Sequence, residues 1–239
     1  MAVKTPLFCL IAVFLCMSVY AFNTETKKIR EVKKGKYIID IDYPYITDKT
    51  PAAKAINDAI HKKIASRQSE FASGAEEISF LDTVEPFSLK TVGEPVICLN
   101  NGSIFSCYML FADYEGAAYP WHSYEAFNFI INNGKVRSFG LRDVFGENLN
   151  PAAERFVPEF KGDGNMLEEC GDFAVSGFGM ELLFGDFVFD TGGNSFIKKS
   201  IERKDLEDLI REPALKEFYS NPKAHINIDS EVIFPGGET

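Results

Sequence analysis

The sequence predicts an α+β fold: one twisted, mainly antiparallel sheet with helices packed on one face. Three observations predict it. Asn101-Gly102 and Asn133-Gly134 each lie between a pair of apolar runs, the strongest short-range hairpin signal a sequence offers. The run "YIIDIDYPYI" from Tyr37 alternates, with Tyr37, Ile39, Ile41 and Tyr43 on one face and Asp40 and Asp42 on the other. Thr50-Pro51 then opens a helix with a capping hydroxyl and a proline at the first helical position.

The elements follow in order. Residues 22–36, "FNTETKKIREVKKGK", are polar and lysine-rich and read as a flexible arm, ending at most in an edge strand. Pro44 closes the alternating strand or marks a sheet edge. The helix runs to about Phe71, with Ile56, Ile60, Ile64 and Phe71 on the buried stripe and Asn57, Lys62, Lys63 and Arg67 facing water. Residues 73–77 are its exit loop. Strands are expected at 78–84, 87–92, 96–99 and 104–111, then on both sides of the second Asn-Gly turn. "LRDVFG" at 141–146 is a tight helical turn, and 150–160 a second helix that Pro158 distorts near its end. The glycine- and acid-rich stretch 161–171 reads as a loop. Short strands follow at 173–175, 180–184, 187–189 and 196–201, with a turn at 191–194. A helix at 204–211 continues after Pro213 to Tyr219 with a kink, and is expected to join the first helix on its face of the sheet. The other face is then partly open, a recognition surface.

The stretch "EGAAYPWHSYEAFNF" at 115–129 carries the only tryptophan. Gly116 permits a tight reversal, and Pro120 biases Tyr119 toward an extended backbone. From Tyr124, alternation puts Tyr124, Ala126, Asn128 and Ile130 on one face and Glu125, Phe127, Phe129 and Ile131 on the other. The second set is the more apolar and should meet the helix. Tyr124 and Asn128 then face a ligand, or form a buried hydrogen-bonded pair. Trp121 is either core or rim. The binding candidates are Tyr114, Tyr119, Trp121, His122, Tyr124 and Asn128, with Tyr119 to His122 at the lip of a groove.

The chain has 239 residues, enough for one ordinary domain with extensions. Residues 1–21 read as a secretory signal peptide: Lys4, an apolar run from Leu7 to Val19, and small residues before Phe22. No stable membrane span is expected once it is removed. Residues 37–219 are read as a single domain and 220–239 as a tail. The protein is then secreted or periplasmic. The formal charge is −10, and loss of Lys4, the only charge in 1–21, makes it −11. So acidic a chain has no electrostatic grip on nucleic acid.

Most signatures of chemistry are missing. There is no glycine-rich nucleotide loop, HExxH or GxSxG. Catalysis would need a base, His122 or His61, and an acid from Asp113 or Glu115. His61 sits beside Lys62 and Lys63 and reads as a solvent-facing helical residue. With 35 acidic residues, paired carboxylates arise by coincidence. The expectation is a non-catalytic chain with no cofactor and no metal. Beyond the leader three cysteines remain, Cys98, Cys107 and Cys170, in a compartment that permits disulfides. Cys98 and Cys107 flank the first hairpin turn as diagonal neighbours, ~7 Å apart and too wide for an easy bridge unless a bulge shifts the register. That bridge, or one from either to Cys170, stays open. Asn101-Gly102-Ser103 is also a glycosylation acceptor if the source is eukaryotic.

One further pattern runs through the chain. Tyr114, then Gly116-Ala117-Ala118-Tyr119, Phe127-Asn128-Phe129, Gly134-Lys135 and Leu141 to Phe145 follow in a set order. Gly179 to Phe189, Gly192-Gly193 and Ile201 to Leu206 continue it. This series resembles the extracytoplasmic domain called domain of unknown function 3298, or RsiV-like, over about residues 37–210, with a companion domain matching 37–93. The family's turn often reads GGAH, so its second glycine and its histidine are Ala117 and Tyr119 here. Such domains occur outside the membrane in anti-sigma factors, one of which senses lysozyme, and accompany domains that act on peptidoglycan. The resemblance thus implies a binding module for a protein such as lysozyme or for a cell-wall glycan. An envelope-polymer hydrolase and a structural envelope protein are the alternatives.

Overall fold

The computed structural model describes residues 21–78, 86–116, 119–186, 188–189 and 196–221. Residues 1–20 of the expected signal peptide, the tail beyond 221, residues 79–84 of the strand expected at 78–84, and the turn at 191–194 lie outside the described residues; Ile78 itself ends the long helix. Within them the α+β expectation holds. A seven-stranded mixed sheet carries one long helix on one face, and a three-stranded sheet with short helices lies on the other.

The large sheet opens with β1 (Thr24–Lys33), which pairs antiparallel with β2 (Tyr37–Ile46) along its whole length. The stretch expected to be a flexible arm is therefore an edge strand. Gly35, at φ +73°, makes the reversal. Lys28 lies 3.3 Å from Asp40 and 3.4 Å from Asp42, and Ile29 packs against the core. Lysines along an open edge disfavour its pairing with another chain. β3 (Phe87–Thr91) joins β2 in parallel, the one parallel pairing among the described strands. β4 (Val96–Asn100), β5 (Ile104–Tyr114), β6 (Trp121–Asn132) and β7 (Lys135–Ser138) are all antiparallel around the two Asn-Gly turns.

The long helix α1 (Pro51–Ile78) starts as its sequence says: Thr50 Oγ1 accepts from Ala53 N at 3.1 Å. Ile56, Ile60, Ile64 and Phe71 are buried against Ile39, Leu89, Phe111, Phe127 and Phe129. The faces of β6 fall as alternation predicts, with Phe127, Phe129 and Ile131 toward the helix. The helix does not stop near Phe71. Ala75 is buried one turn later, and that contact offsets the ~1 kcal/mol penalty of Gly74.

The second layer was only partly legible. α2 (Leu141–Phe145) and α3 (Leu149–Phe156) come where expected, and Pro158 turns the chain into a short 3-10 segment. The stretch expected as a loop contains α4 (Gly164–Cys170), capped by Asp163, which accepts from Asn165 N at 3.0 Å and Met166 N at 3.1 Å. β8 (Gly171–Ser176), β9 (Gly179–Phe184) and β10 (Ile197–Glu202) form the small antiparallel sheet. Residues 188–189 are a bend rather than a strand, and Phe189 stacks on Phe160 at 5.4 Å. α5 (Arg203–Leu206) is a single turn, and α6 (Pro213–Ser220) follows. Leu206, Leu215 and Phe218 pack with the small sheet, not with α1. The apolar side chains left on 141–219 after the strands are set had to bury somewhere, and the second face was the free one.

The face expected to be open is thus covered over β4 to β6. Tyr108, Tyr124, Ala174 and Leu183 form the seam. A buried polar relay crosses it: Val175 N donates to Ser106 Oγ at 2.8 Å, Ser106 Oγ donates to Asn128 Oδ1 at 2.6 Å, and Asn128 Nδ2 donates to Phe173 O at 2.7 Å. Asn128 is 6 % exposed. Asn128→Ala leaves the Phe173 carbonyl unsatisfied and should cost about 2 kcal/mol in urea unfolding, with no change in far-UV dichroism. A loss below ~0.5 kcal/mol would mean the relay does not join the layers.

Candidate functional site

One face of α1 carries Lys63, Ser66, Arg67 and Glu70 at i, i+3, i+4 and i+7, a polar stripe beside the buried isoleucines. Opposite it the ends of β5 and β6 present Asp113, Glu115 and Glu125, with Leu89 of β3 below. Between them lies an open groove of about 410 Å³. The groove exists because α1 crosses the end of the sheet where β5 and β6 leave its hydrophobic footprint.

Arg67 organises the floor. Its Nη2 lies 2.8 Å from Asp113 Oδ2 and donates to Ser123 Oγ at 2.6 Å. Nη1 lies 3.8 Å from Glu125 Oε2, and Lys63 Nζ is 3.5 Å from Glu125 Oε1. The guanidinium carbon stands 4.1 Å from the centre of the Phe111 ring. Burial pushes the Asp113 carboxyl up from its ordinary range, opposed by Arg67 and then His122. Burial does the same to Glu125, opposed by Lys63 and Arg67. Arg67 Nε and Asp113 Oδ1 are buried with no hydrogen-bond partner. Arg67 was expected to face water. Its stripe does leave the helix core, but it meets the sheet end instead.

Behind the groove, at the outer edge of β6, Asp172 Oδ2 accepts from Ala126 N at 2.9 Å. β7 pairs only with Phe129 to Asn132, so this carboxylate caps an edge that has no strand beside it. Burial raises its pKa to about 7, opposed by the Ala126 amide. No sequence signal singled it out.

The residues expected to carry chemistry do not converge. Asp113 and Glu115 both line the groove. His122 is Cα partner to Ala112 and points to the opposite face. There Asp186 Oδ2 accepts its backbone N at 2.8 Å and lies 2.9 Å from Nδ1, while Asp186 N donates to His122 O at 2.9 Å. This reciprocal clamp fixes the segment after β9, and Phe196 packs on the imidazole at 5.1 Å. His61 is exposed on α1, as expected.

The binding candidates separate by face. Trp121, Cα partner of Asp113, shares the groove's face of the sheet and is 55 % exposed. Tyr119 is exposed beside it. Tyr114 is half-buried. Tyr124 and Asn128, expected on an accessible face, are buried beneath the small sheet and do not pair with each other. Asn101 Oδ1 accepts from Ser103 N at 3.0 Å and Ile104 N at 2.8 Å, shaping its turn. Cys98 and Cys107 are free thiols. A bulge between Ile97 and Leu99 occurs, but it turns Cys98 to the seam while Cys107 stays under α1. Among the described residues no cluster of His, Cys, Asp or Glu is placed to hold a metal, and no helix is long and apolar enough to cross a membrane.

Fold and groove together define a mixed-sheet α+β domain that presents a charged, solvent-open groove at one end of its sheet. The fold is the one found in DUF3298-family proteins. A DUF3298 member from Bacteroides fragilis superposes with a TM-score of 0.55 at 14% identity, over 85% of this chain and 100% of that one. A DUF3298 family protein from Pseudomonas aeruginosa gives 0.54 at 13% identity, over 82% of this chain and 97% of that one. At such identity the likeness is one of fold, and it is the fold that the order of motifs implies. No protein-family model and no curated protein matches the sequence.

Proposed function

We propose that the chain is a non-catalytic binding module of the secreted or periplasmic space, and that it recognises a cell-wall glycan through the groove between α1 and the β5–β6 end. The single observation that carries this reading is the groove's build. Hydrogen-bonding groups on rigid elements, Arg67, Asp113 and Glu125, line an open trough of about 410 Å³, and the exposed Trp121 is the cross-strand partner of Asp113 on the same face of the sheet. Hydroxyls of a sugar ring both donate and accept, and its C–H face suits an aromatic surface. A volume of that order holds one or two rings. The leader-like start of the sequence supports the location. The non-catalytic reading rests on His122, which is turned away from the groove carboxylates and clamped by Asp186.

Soluble peptidoglycan fragments should bind the purified chain saturably in calorimetry. Trp121→Ala should weaken that binding about tenfold while unfolding free energy falls by no more than about 2 kcal/mol, the part of the indole that is covered. A large stability loss with binding intact would mark Trp121 as packing only. Absence of saturable binding to the fragments, together with tight binding to lysozyme, would replace the glycan with a protein partner. Release of reducing ends from the fragments would refute the non-catalytic reading.

A further inference from the structure

A second cavity, of about 220 Å³, lies at the outer edge of β6 and shares no lining residue with the groove. It forms because β7 stops at Ser138 and the chain turns off into α2, while α4 and the start of β8 close the space beyond. Phe139, Leu141 and Phe173 give it apolar walls, and each is buried. Asp172 is set into the same cavity and is largely buried. Its Oδ2 accepts from the Ala126 amide at 2.9 Å, and its Oδ1 has no donor among the described residues. In an antiparallel strand the N–H and C=O of one residue point to the same side. The Ala126 carbonyl therefore also turns outward, where no strand meets it. Among the described residues no cation pairs with Asp172. Glu168, on the α4 wall, is tied to Arg142 at 2.6 Å, and Arg137 is held by Glu212 and Asp143. Lys63 and Arg67 act on Asp172 only from the groove side, where they pair with Glu125 and Asp113.

We infer that this cavity binds a primary ammonium group carried on a small apolar body, the ammonium between the Asp172 carboxylate and the Ala126 carbonyl and the body against Phe139, Leu141 and Phe173. The site is separate from the groove and does not rest on the glycan reading. Capping one backbone amide is a task that a neutral side-chain amide performs as well. What a carboxylate adds is charge, and burial makes that charge costly without a counter-ion. Burial raises the Asp172 pKa to about 7, so a positive charge is what the site lacks near neutral pH. Glu125 adds to that rise, Lys63 and Arg67 oppose it, and Glu168 is already neutralised by Arg142. An ammonium brings three donors and no acceptor, and it finds one charged and one neutral acceptor, both unpaired. An anion meets only acceptors and is repelled. A metal ion needs more oxygen ligands than one carboxyl and one carbonyl. At about 220 Å³ the cavity is smaller than a drug-sized pocket, so the body is one ring or a short chain.

The test is calorimetry on the purified chain with benzylamine and benzyl alcohol, which share a ring and differ in the ammonium. At pH 8 the amine should bind about tenfold tighter than the alcohol. At pH 6 Asp172 must lose its proton before the ion pair forms, so the amine should bind about tenfold more weakly than at pH 8, with the alcohol unchanged. Raising salt from 50 to 500 mM should change the amine's affinity less than about twofold, because the carboxyl is buried. Asp172→Asn should remove the preference for the amine. Ser138→Phe, at the exposed rim of the cavity, keeps the carboxyl and should weaken both probes with an unchanged unfolding midpoint. Equal binding of amine and alcohol overturns the ammonium seat, as does no binding of either. Amine binding that survives Asp172→Asn and falls steeply with salt places the cation on exposed carboxylates elsewhere and overturns it too. Amine binding untouched by Ser138→Phe overturns the cavity as the site.

Discussion

Replacing Arg67 with alanine is expected to cost the fold about 3 kcal/mol at pH 7.5 and clearly less at pH 5. Arg67 holds Asp113, Ser123 and Glu125 in one cluster and covers Phe111. Removing one partner of a buried ion pair costs about 3–5 kcal/mol, because the charge left behind has no solvent to replace it. The low end applies because the Arg67, Asp113 and Glu125 side chains keep 20%, 27% and 15% of their exposure. The pH dependence has a definite sign. Both carboxyls already sit above their ordinary range through burial, with Arg67 holding them down. Without it they rise further. A carboxyl raised in the folded state contributes stability that is present at low pH and lost as pH climbs through its folded value. The deficit therefore shrinks on acidification. Urea unfolding at the two pH values checks this, with Arg67→Lys as a variant that keeps the charge and loses the fork. A pH-independent loss below ~0.5 kcal/mol would mean that the cluster is solvated and does not order the groove.

Asp172→Asn should make the stability curves of variant and parent cross. In the folded chain the Asp172 carboxyl titrates at about 7, against an ordinary value of 3.8. The unfolded chain binds fewer protons between those values, so the parent loses stability as pH rises from 4 through 7. A shift of that size corresponds to about 4 kcal/mol when the group is fully ionised. Asparagine has no such slope, and its Oδ1 still accepts from the Ala126 amide. Its own amide hydrogens are buried without an assigned partner, a penalty of about 1–3 kcal/mol at every pH. The variant should be the less stable protein at pH 4 and the more stable one at pH 8, by about 2 kcal/mol in each case. Parallel curves over that range would show that the carboxyl is not held in a dry site.

The groove was half visible beforehand. Asp113 and Glu115 stood out as acids after a strand, and Trp121 as the only indole. Arg67 did not, because one residue on a helix stripe looks like any other cation that faces water. Its partners lie 46 and 56 residues away. Asp172 was invisible for the same reason: what makes it unusual is a missing neighbour strand, and strand ends are not written locally. α4 was recoverable, since Asp163 before "GNMLEEC" is a helix-capping signal. The glycines and acids around it outweighed the cap.

The sequence by itself determined what depends on near neighbours. It set the two Asn-Gly hairpins, the Thr50 cap, the apolar stripe of α1 and the side of β6 that turns to the helix. Each follows from steric rules acting over a few residues, from the period of two along a strand, or from the 3.6-residue period of the helix. Only the tertiary structure decided the parallel join of β2 to β3, the small sheet that buries Tyr124 and Asn128, and the bulge that separates Cys98 from Cys107. These depend on which distant surfaces bury each other. An alternating pattern says that a strand has an inner face, but not which layer will cover the outer one.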